Sequence, residues 1–507
     1  MTNSYITYSR ENGGRVLLLF LLFLLALYQL THAGFSAFAV VCLVPALIIA
    51  IYCAFKWKML TFWILITVNY FIQMKDLSAH LSLPMSLPNE MLQIILLAIA
   101  IIDSSENPHF KKTINLMLFA LLIWCGFCTL ELLNNTCNLG INFGSWYSGA
   151  RLMAFQLLYI FLVFSIYIST PEILLKYLSI WGAFALFSVF WVWKQKTYGW
   201  TTAEVIFLES GGRVTHILNA GTLIRYWSTF SDAANYGCNA AGTAVAFIIF
   251  AITAKINKYR IFFIIVSVLV IWGMFQSGTR TAIFCLAAGL MVYVFLSKSV
   301  KIAVPFSIAF VFFAFILVFT NIGNGNQQIR RMRTAFNKDD ASASVRDINQ
   351  AVMKKYIQDA PWGIGLGMSM DNVPANNKYR RLTMIAPDSE YVFIWLRTGP
   401  IGITVFIITM LIMLGGACWI VMFKLKNRSL IGIGGGFCCA FVAIQLGGYG
   451  NQVLMQFPNC LLFYGGLSIV YILPYIEPAW IEYENRQLAK QAEKKRLKLE
   501  KKLASRV

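Results

Sequence analysis

Long apolar runs, which with their flanking residues suit helices of about 20 residues that cross a hydrocarbon layer about 30 Å thick, recur from one end of this chain to the other. They leave little choice of fold. The runs include Val16 to Leu30, Leu116 to Leu130, Ile261 to Phe275, Ile401 to Phe423 and Cys460 to Tyr475. In all they suggest about fourteen spans, at approximately 16–30, 33–55, 59–73, 90–102, 114–133, 152–169, 174–193, 234–253, 260–275, 281–297, 302–320, 400–423, 429–447 and 459–475. With 58% hydrophobic residues, 13% charged residues and a mean hydropathy of +0.66, the 507-residue chain holds more apolar surface than a water-soluble fold could hide. The runs lack the alternation of barrel strands, so their backbone groups must be satisfied within helices. The expected fold is an all-α polytopic membrane protein of about 12–14 transmembrane helices with one large, partly helical extracytoplasmic loop.

The first run follows Arg10 and Arg15 as a signal peptide would, but no small-residue cleavage site precedes the next run, so it reads as a retained span. Ten of the eleven cysteines sit in apolar segments and only Cys137 in a polar loop, which implies no disulfide framework. Cys125 and Cys128 read as small buried hydrophobes rather than metal ligands. Lysines and arginines near span ends favour the cytoplasm. Lys56, Lys58, Lys111, Lys112, Lys255, Lys258, Arg260, Lys298, Lys301, Lys424, Lys426 and Arg428 fall on one side if the spans alternate, and so does the basic C-terminal tail. The chain then divides into transmembrane helices over 1–320 with a smaller outer loop at 194–233, a large outer loop at 321–399, C-terminal spans over 400–475, and a basic cytoplasmic tail helix over 476–507. The tail reads as a solvated helix that fixes topology or as one lying on anionic lipid.

The large outer loop is basic although it faces outward, and that charge needs a reason. Arginine presents a planar, permanently charged fork of donors that suits phosphate oxygens. Arg280, in Ser277-Gly-Thr-Arg-Thr-Ala282, stands at a tight turn between spans, where a charge is costly unless paired or wet. Arg225 lies in the segment running to Asn235, and Arg346 opens an expected amphipathic helix. Farther on come Arg380 and Arg381. These five are the candidate ligands of a phosphate-bearing lipid. Asp232 and Asn235 read as a helix cap or as sugar-orienting groups, and His216 as a reserve base or a headgroup-facing side chain.

The second half of the loop contains Pro361-Trp-Gly-Ile-Gly-Leu-Gly367, then Asp388-Ser389, then nine residues to Gly399-Pro-Ile-Gly402. With Arg346 about fifteen residues before Pro361, this order resembles the O-antigen polymerase and ligase superfamily of bacterial envelope glycosyltransferases. The Arg225 and Arg280 segments are similar to family landmarks in the same order. The resemblance covers about Arg225 to Gly402. A nucleotide-binding reading of the glycines lacks the flanking strand and helix that a phosphate-binding loop needs. Gly363, Gly365, Gly367, Gly399 and Gly402 are therefore loop-shaping candidates.

The resemblance implies a multi-pass inner-membrane enzyme of O-antigen, capsule or lipopolysaccharide assembly, acting on the periplasmic side. Its substrate would be a glycan on polyprenyl (undecaprenyl) pyrophosphate, with membrane lipids and a chain-length regulator as partners. It implies no cofactor, metal or nucleic acid. Chemically, displacement at the sugar carbon needs a base, Asp388 or Glu390, and positive charge for the departing pyrophosphate. Family ligases carry a His where this chain has Asp388, a departure that favours a polymerase over a ligase. Asp388 is equally a turn carboxylate capping the next helix. A lipid-linked sugar flippase is the reading from another class, though it would favour mid-membrane charges and repeated halves.

Overall fold

The computed structural model describes residues 13–78, 86–103, 109–218, 221, 223–297 and 341–504, with scattered positions from 304 to 333. The chain divides into two units, Met1–Ile64 and Leu65–Val507. In the first, the two expected spans 16–30 and 33–55 form one helix, Gly13–Lys56.

Ten helices among the described residues are long and apolar enough to cross a membrane, or up to eleven if a pair bent by 108° near Trp57 counts as one. The expected all-α polytopic fold is what the chain adopts. Arg280–Leu296 is shorter but apolar, and most of the expected span at 302–320 lies outside the described residues. The expected span at 90–102 lies within the longer helix Ser86–Asp103.

We number the helices that build the second unit α1 (Ser86–Asp103), α2 (Leu116–Leu130), α3 (Phe143–Tyr167), α4 (Pro171–Thr197), α5 (Ala233–Thr253), α6 (Asn257–Gln276), α7 (Arg280–Leu296), α8 (Ala341–Ile357), α9 (Glu390–Trp419), α10 (Arg428–Gly450) and α11 (Gly465–Ala504). α5 and α10 are the interior helices, buried along most of their length. A glycine lets them pack closely: a Cβ at Gly436 of α10 would stand 2.5 Å from the Phe250 ring of α5.

Polar contacts sort the helix ends into two groups. At one end Glu484 of α11 receives Lys255 Nζ at 2.8 Å and Asn427 Nδ2 at 2.9 Å, and Lys112 Nζ donates to the Ile166 carbonyl at 3.1 Å. That end carries the basic short-loop residues of the alternation argument. α11 runs unbroken through Pro474 and Pro478 and past Glu484, so the expected boundary at 475–476 falls inside a helix.

The other end carries the loops. Met353, Ile357, Ile364, Met368, Val373, Leu382 and Leu396 form a separate small core that includes Cys137. Asn134 Nδ2 donates to Trp362 O at 2.8 Å, Asn377 Nδ2 to Cys137 O at 2.7 Å and Asn372 Nδ2 to Ser145 Oγ at 2.9 Å. The described part of the large loop is thus a folded cap tied to the segment between α2 and α3.

Candidate functional site

α9 is interrupted where the sequence places Gly399-Pro400. Gly399 takes φ 66° and ψ −172°, a conformation open essentially to glycine alone. Pro400 has no N–H, so the carbonyl of Leu396 loses its helical donor. The glycine-rich loop supplies the replacement: Ile364 N donates to Leu396 O and Gly365 N to Arg397 O, both at 3.0 Å. A Cβ on Gly363 would stand 2.5 Å from Arg397 O, and one on Gly399 would collide with Pro361 O. The two glycine motifs are therefore halves of one joint. Gly367 O accepts from Asn372, and Gly402 packs on Thr398. Three of the loop's N–H groups, those of Gly363, Ile364 and Gly365, are spent on backbone carbonyls.

The joint holds a two-turn helix, Glu390 to Thr398, beside a polar cavity of about 440 Å³. Glu390, Phe393 and Arg397 line it from α9, and Gly367, Met368 and Ser369 from the cap. Gly149, Leu152 and Met153 line it at a π-turn in α3 (Arg151–Phe155), a local widening that re-aims side chains. Gln73 and Ser86 complete one wall, and Gln452, Met455, Gln456 and Phe457 the other.

The segment from Gly448 to Phe457 organises the site. Leu454 N donates to Glu390 Oε2 at 3.1 Å, and Ser389 Oγ donates to Gly448 O at 3.1 Å. Asn451 Nδ2 donates to Thr281 Oγ1 at 3.1 Å. Beneath it, Asn459 Nδ2 donates to Asn235 Oδ1 at 2.5 Å and to Val453 O at 2.9 Å, while Asn235 donates to Phe457 O at 3.0 Å and Gln73 Nε2 to Gln456 Oε1 at 3.1 Å. Asp388-Ser389 and Arg280-Thr281, 108 residues apart in sequence, thus flank the same ten-residue segment.

Arg280 is half-buried at the first position of α7. Arg225 stands behind it. Its Nε donates to Ser277 O at 3.3 Å, Nη2 to Thr279 Oγ1 at 3.2 Å and Nη1 to Thr215 O at 3.0 Å. Arg225 therefore braces the turn that carries Arg280. Arg380 likewise donates to the carbonyls of Met370 and Val373, inside the cap. Arg381 is exposed, and Arg346 lies in α8 with a side chain outside the described residues.

Asp388 is half-buried with φ 52°. Ser389 holds the cap position of α9 and makes no side-chain cap bond, so the capping role expected of Asp388 is not seen. Asp232 does cap its helix, accepting from Ala234 N at 2.7 Å and Asn235 N at 2.9 Å. Asn235 points into the amide network just described. His216 faces neither solvent nor headgroups: it is 2% exposed, bonds Gly212 O through Nδ1 at 2.9 Å and accepts Ala233 N on Nε2 at 3.1 Å. Burial pushes its pKa down to about 4, which leaves it a neutral structural side chain. Next to it Lys75 donates to Ser231 O at 2.8 Å, and burial lowers its pKa to about 8 against the raising effect of Asp232 and Glu204.

Sequence reasoning overlooked Arg397 and the glutamines at 73, 452 and 456. Arg397 stands within the Leu396-Arg-Thr-Gly-Pro motif, where its adjacency to the break was the available signal. Gln452 and Gln456 flank a short connection between two spans and carry no charge to draw attention.

Residues 265–407 match the family model described as O-Antigen ligase, which includes α7, the cap and the joint in α9. The match supports the O-antigen polymerase and ligase superfamily resemblance. Among curated proteins, none matches the chain.

Proposed function

We propose that this multi-pass membrane protein is a glycosyltransferase that polymerises oligosaccharide repeat units carried on polyprenyl pyrophosphate, at the outer face of the bacterial cytoplasmic membrane. The observation that carries the proposal is the position of Glu390: a buried carboxylate on the wall of a polar cavity, anchored by Leu454 N, in the segment that also contacts the Arg280 turn.

In the reaction, an acceptor hydroxyl attacks the anomeric carbon of the donor sugar. The new carbon–oxygen bond forms as the bond to pyrophosphate breaks, and the electron pair leaves on the phosphate oxygen. Glu390 takes the hydroxyl proton. Arg280 stabilises the charge developing on the leaving group, held in place by the brace from Arg225. Asp388, two residues before Glu390 and outside the cavity lining, is the second candidate base. The energy comes from the sugar–pyrophosphate bond. The basic opposite end of the helices supports an outward-facing site through the charge bias of short loops.

The ligase reading has one specific support, the description of the matched family. The chain's Asp388 at the family's His position favours the polymerase. Deleting the protein from its host and sizing the glycans separates the readings. Single repeat units in place of a ladder are expected; full ladders stranded on the carrier would make it a ligase, and units trapped on the inner leaflet a flippase.

A further inference from the structure

Arg397 is a buried cation that meets no carboxylate among the described residues. Its Nε and Nη1 are buried and have no hydrogen-bond partner, and its guanidinium carbon lies 5.2 Å from the centroid of the Phe393 ring. Arg151, on the neighbouring α3, also leaves Nε without a partner, but its charge is paired: Nη1 meets Glu90 Oε2 at 3.1 Å and Nη2 meets Ser86 Oγ at 3.0 Å. Burying a guanidinium without an acceptor costs several times what an ordinary hydrogen bond returns, so a binding partner from outside the chain is the economical explanation.

The cavity around Arg397 states what that partner is. Apart from the Glu390 carboxylate, its other polar walls include neutral amides and hydroxyls, Gln73, Gln452, Gln456, Ser148 and Ser369, which match the mixed donors and acceptors of a sugar. Phe393 offers a ring face. The volume of about 440 Å³ is that of a small-ligand pocket. A pyrophosphate would bring two or more negative charges to a cavity with a single cation and would meet the carboxylate of Glu390 as well. One carboxylate on a sugar matches the single unanswered guanidinium.

We infer that this cavity is the acceptor subsite of the transferase and selects a glycan bearing an acidic sugar, a uronate, whose carboxylate pairs with Arg397. The inference rests on the proposed function. Glu390 and Arg397 lie two turns apart on one helix, about 10 Å along its axis. The acidic group therefore sits that far from the hydroxyl that reacts, which makes Arg397 a specificity-determining residue and not a proton carrier.

The test uses the full chain in lipid nanodiscs and isothermal titration with three probes: a glucuronate-containing oligosaccharide, the same oligosaccharide after carboxyl reduction to glucose, and inorganic pyrophosphate. The acidic probe should bind about tenfold or more tightly than the reduced one, the range of a charge-assisted hydrogen bond. Arg397→Gln should erase the difference, Arg397→Lys should retain part of it, and both should keep the wild-type affinity for pyrophosphate. Equal binding of the two oligosaccharides, or discrimination that survives in Arg397→Gln, overturns the inference. Loss of pyrophosphate binding in Arg397→Gln also overturns it, by assigning Arg397 to the donor, and leaves the transferase reading standing. That reading fails separately, if glycan ladders persist when the protein is deleted.

Discussion

The N–H of Ile364 donates to the carbonyl oxygen of Leu396 at 3.0 Å, the oxygen for which Pro400, four residues on, has no N–H. A bond lost within one helix is restored by a loop more than thirty residues earlier in the chain. The joint sets the angle of the short helix that brings Glu390 and Arg397 to the cavity, so the cap and the site stand or fall together.

Gly399→Ala tests the joint. The substitution imposes backbone strain of about 1–3 kcal/mol and drives a Cβ into Pro361 O. Thermal unfolding in detergent should show a clear loss of stability, with activity falling further than stability alone explains. Pro400→Ala, which restores an N–H, should be milder.

Arg225 and Arg280 should behave as one unit. Arg280→Ala is expected to lower turnover by about 10²–10³-fold, as for loss of a group that stabilises a developing oxyanion. Arg225→Ala should lower it too, because the Arg225 guanidinium bonds Ser277, Thr279 and Thr215 and so supports the turn. The double variant should then cost little beyond Arg280→Ala, a non-additivity that initial-rate measurements on all three would reveal.

The two carboxylates separate by position. Glu390 lines the cavity, and Asp388 lies outside that lining. Glu390→Gln should reduce the transfer rate by about 10²–10⁴-fold while leaving donor binding intact. Asp388→Asn should cost far less; the reverse order would move the base to Asp388.

The pH dependence of stability should carry the signature of His216. Its folded-state pKa of about 4 lies below the ordinary 6.5, so the unfolded chain takes up a proton first as the medium acidifies. The stabilisation is complete above pH 6.5 and is lost progressively as pH falls from 6.5 towards 4. In His216→Ala the melting temperature should fall less steeply across that window than in the wild type.

Much of this molecule was legible in its sequence because hydropathy and glycine placement are local signals. The runs of apolar residues placed the helices of the second unit, and Gly399-Pro400 marked a break. The first two expected spans merged because Thr31, His32 and Ala33 do not interrupt a helix that stays helical through Gly13–Lys56. Charge leaves more to the structure. Arginine suits phosphate, so Arg225 and Arg380 stand out in the sequence, but that each also donates to backbone carbonyls of its own fold depends on distant segments. Conversely the Gln456 and Asn459 network is made of neutral side chains brought together from three distant segments, a pairing that no local pattern announces.

The central claim is that this chain alone joins lipid-borne glycans. The most direct measurement places the purified full chain in vesicles with polyprenyl-pyrophosphate-linked repeat units, without nucleotide sugars, and sizes the lipid-linked products. The account predicts a ladder of longer glycans with release of one polyprenyl pyrophosphate per added unit, abolished by Arg280→Ala. Products that remain single units with the wild-type chain, or a ladder that Arg280→Ala leaves unchanged, would contradict it.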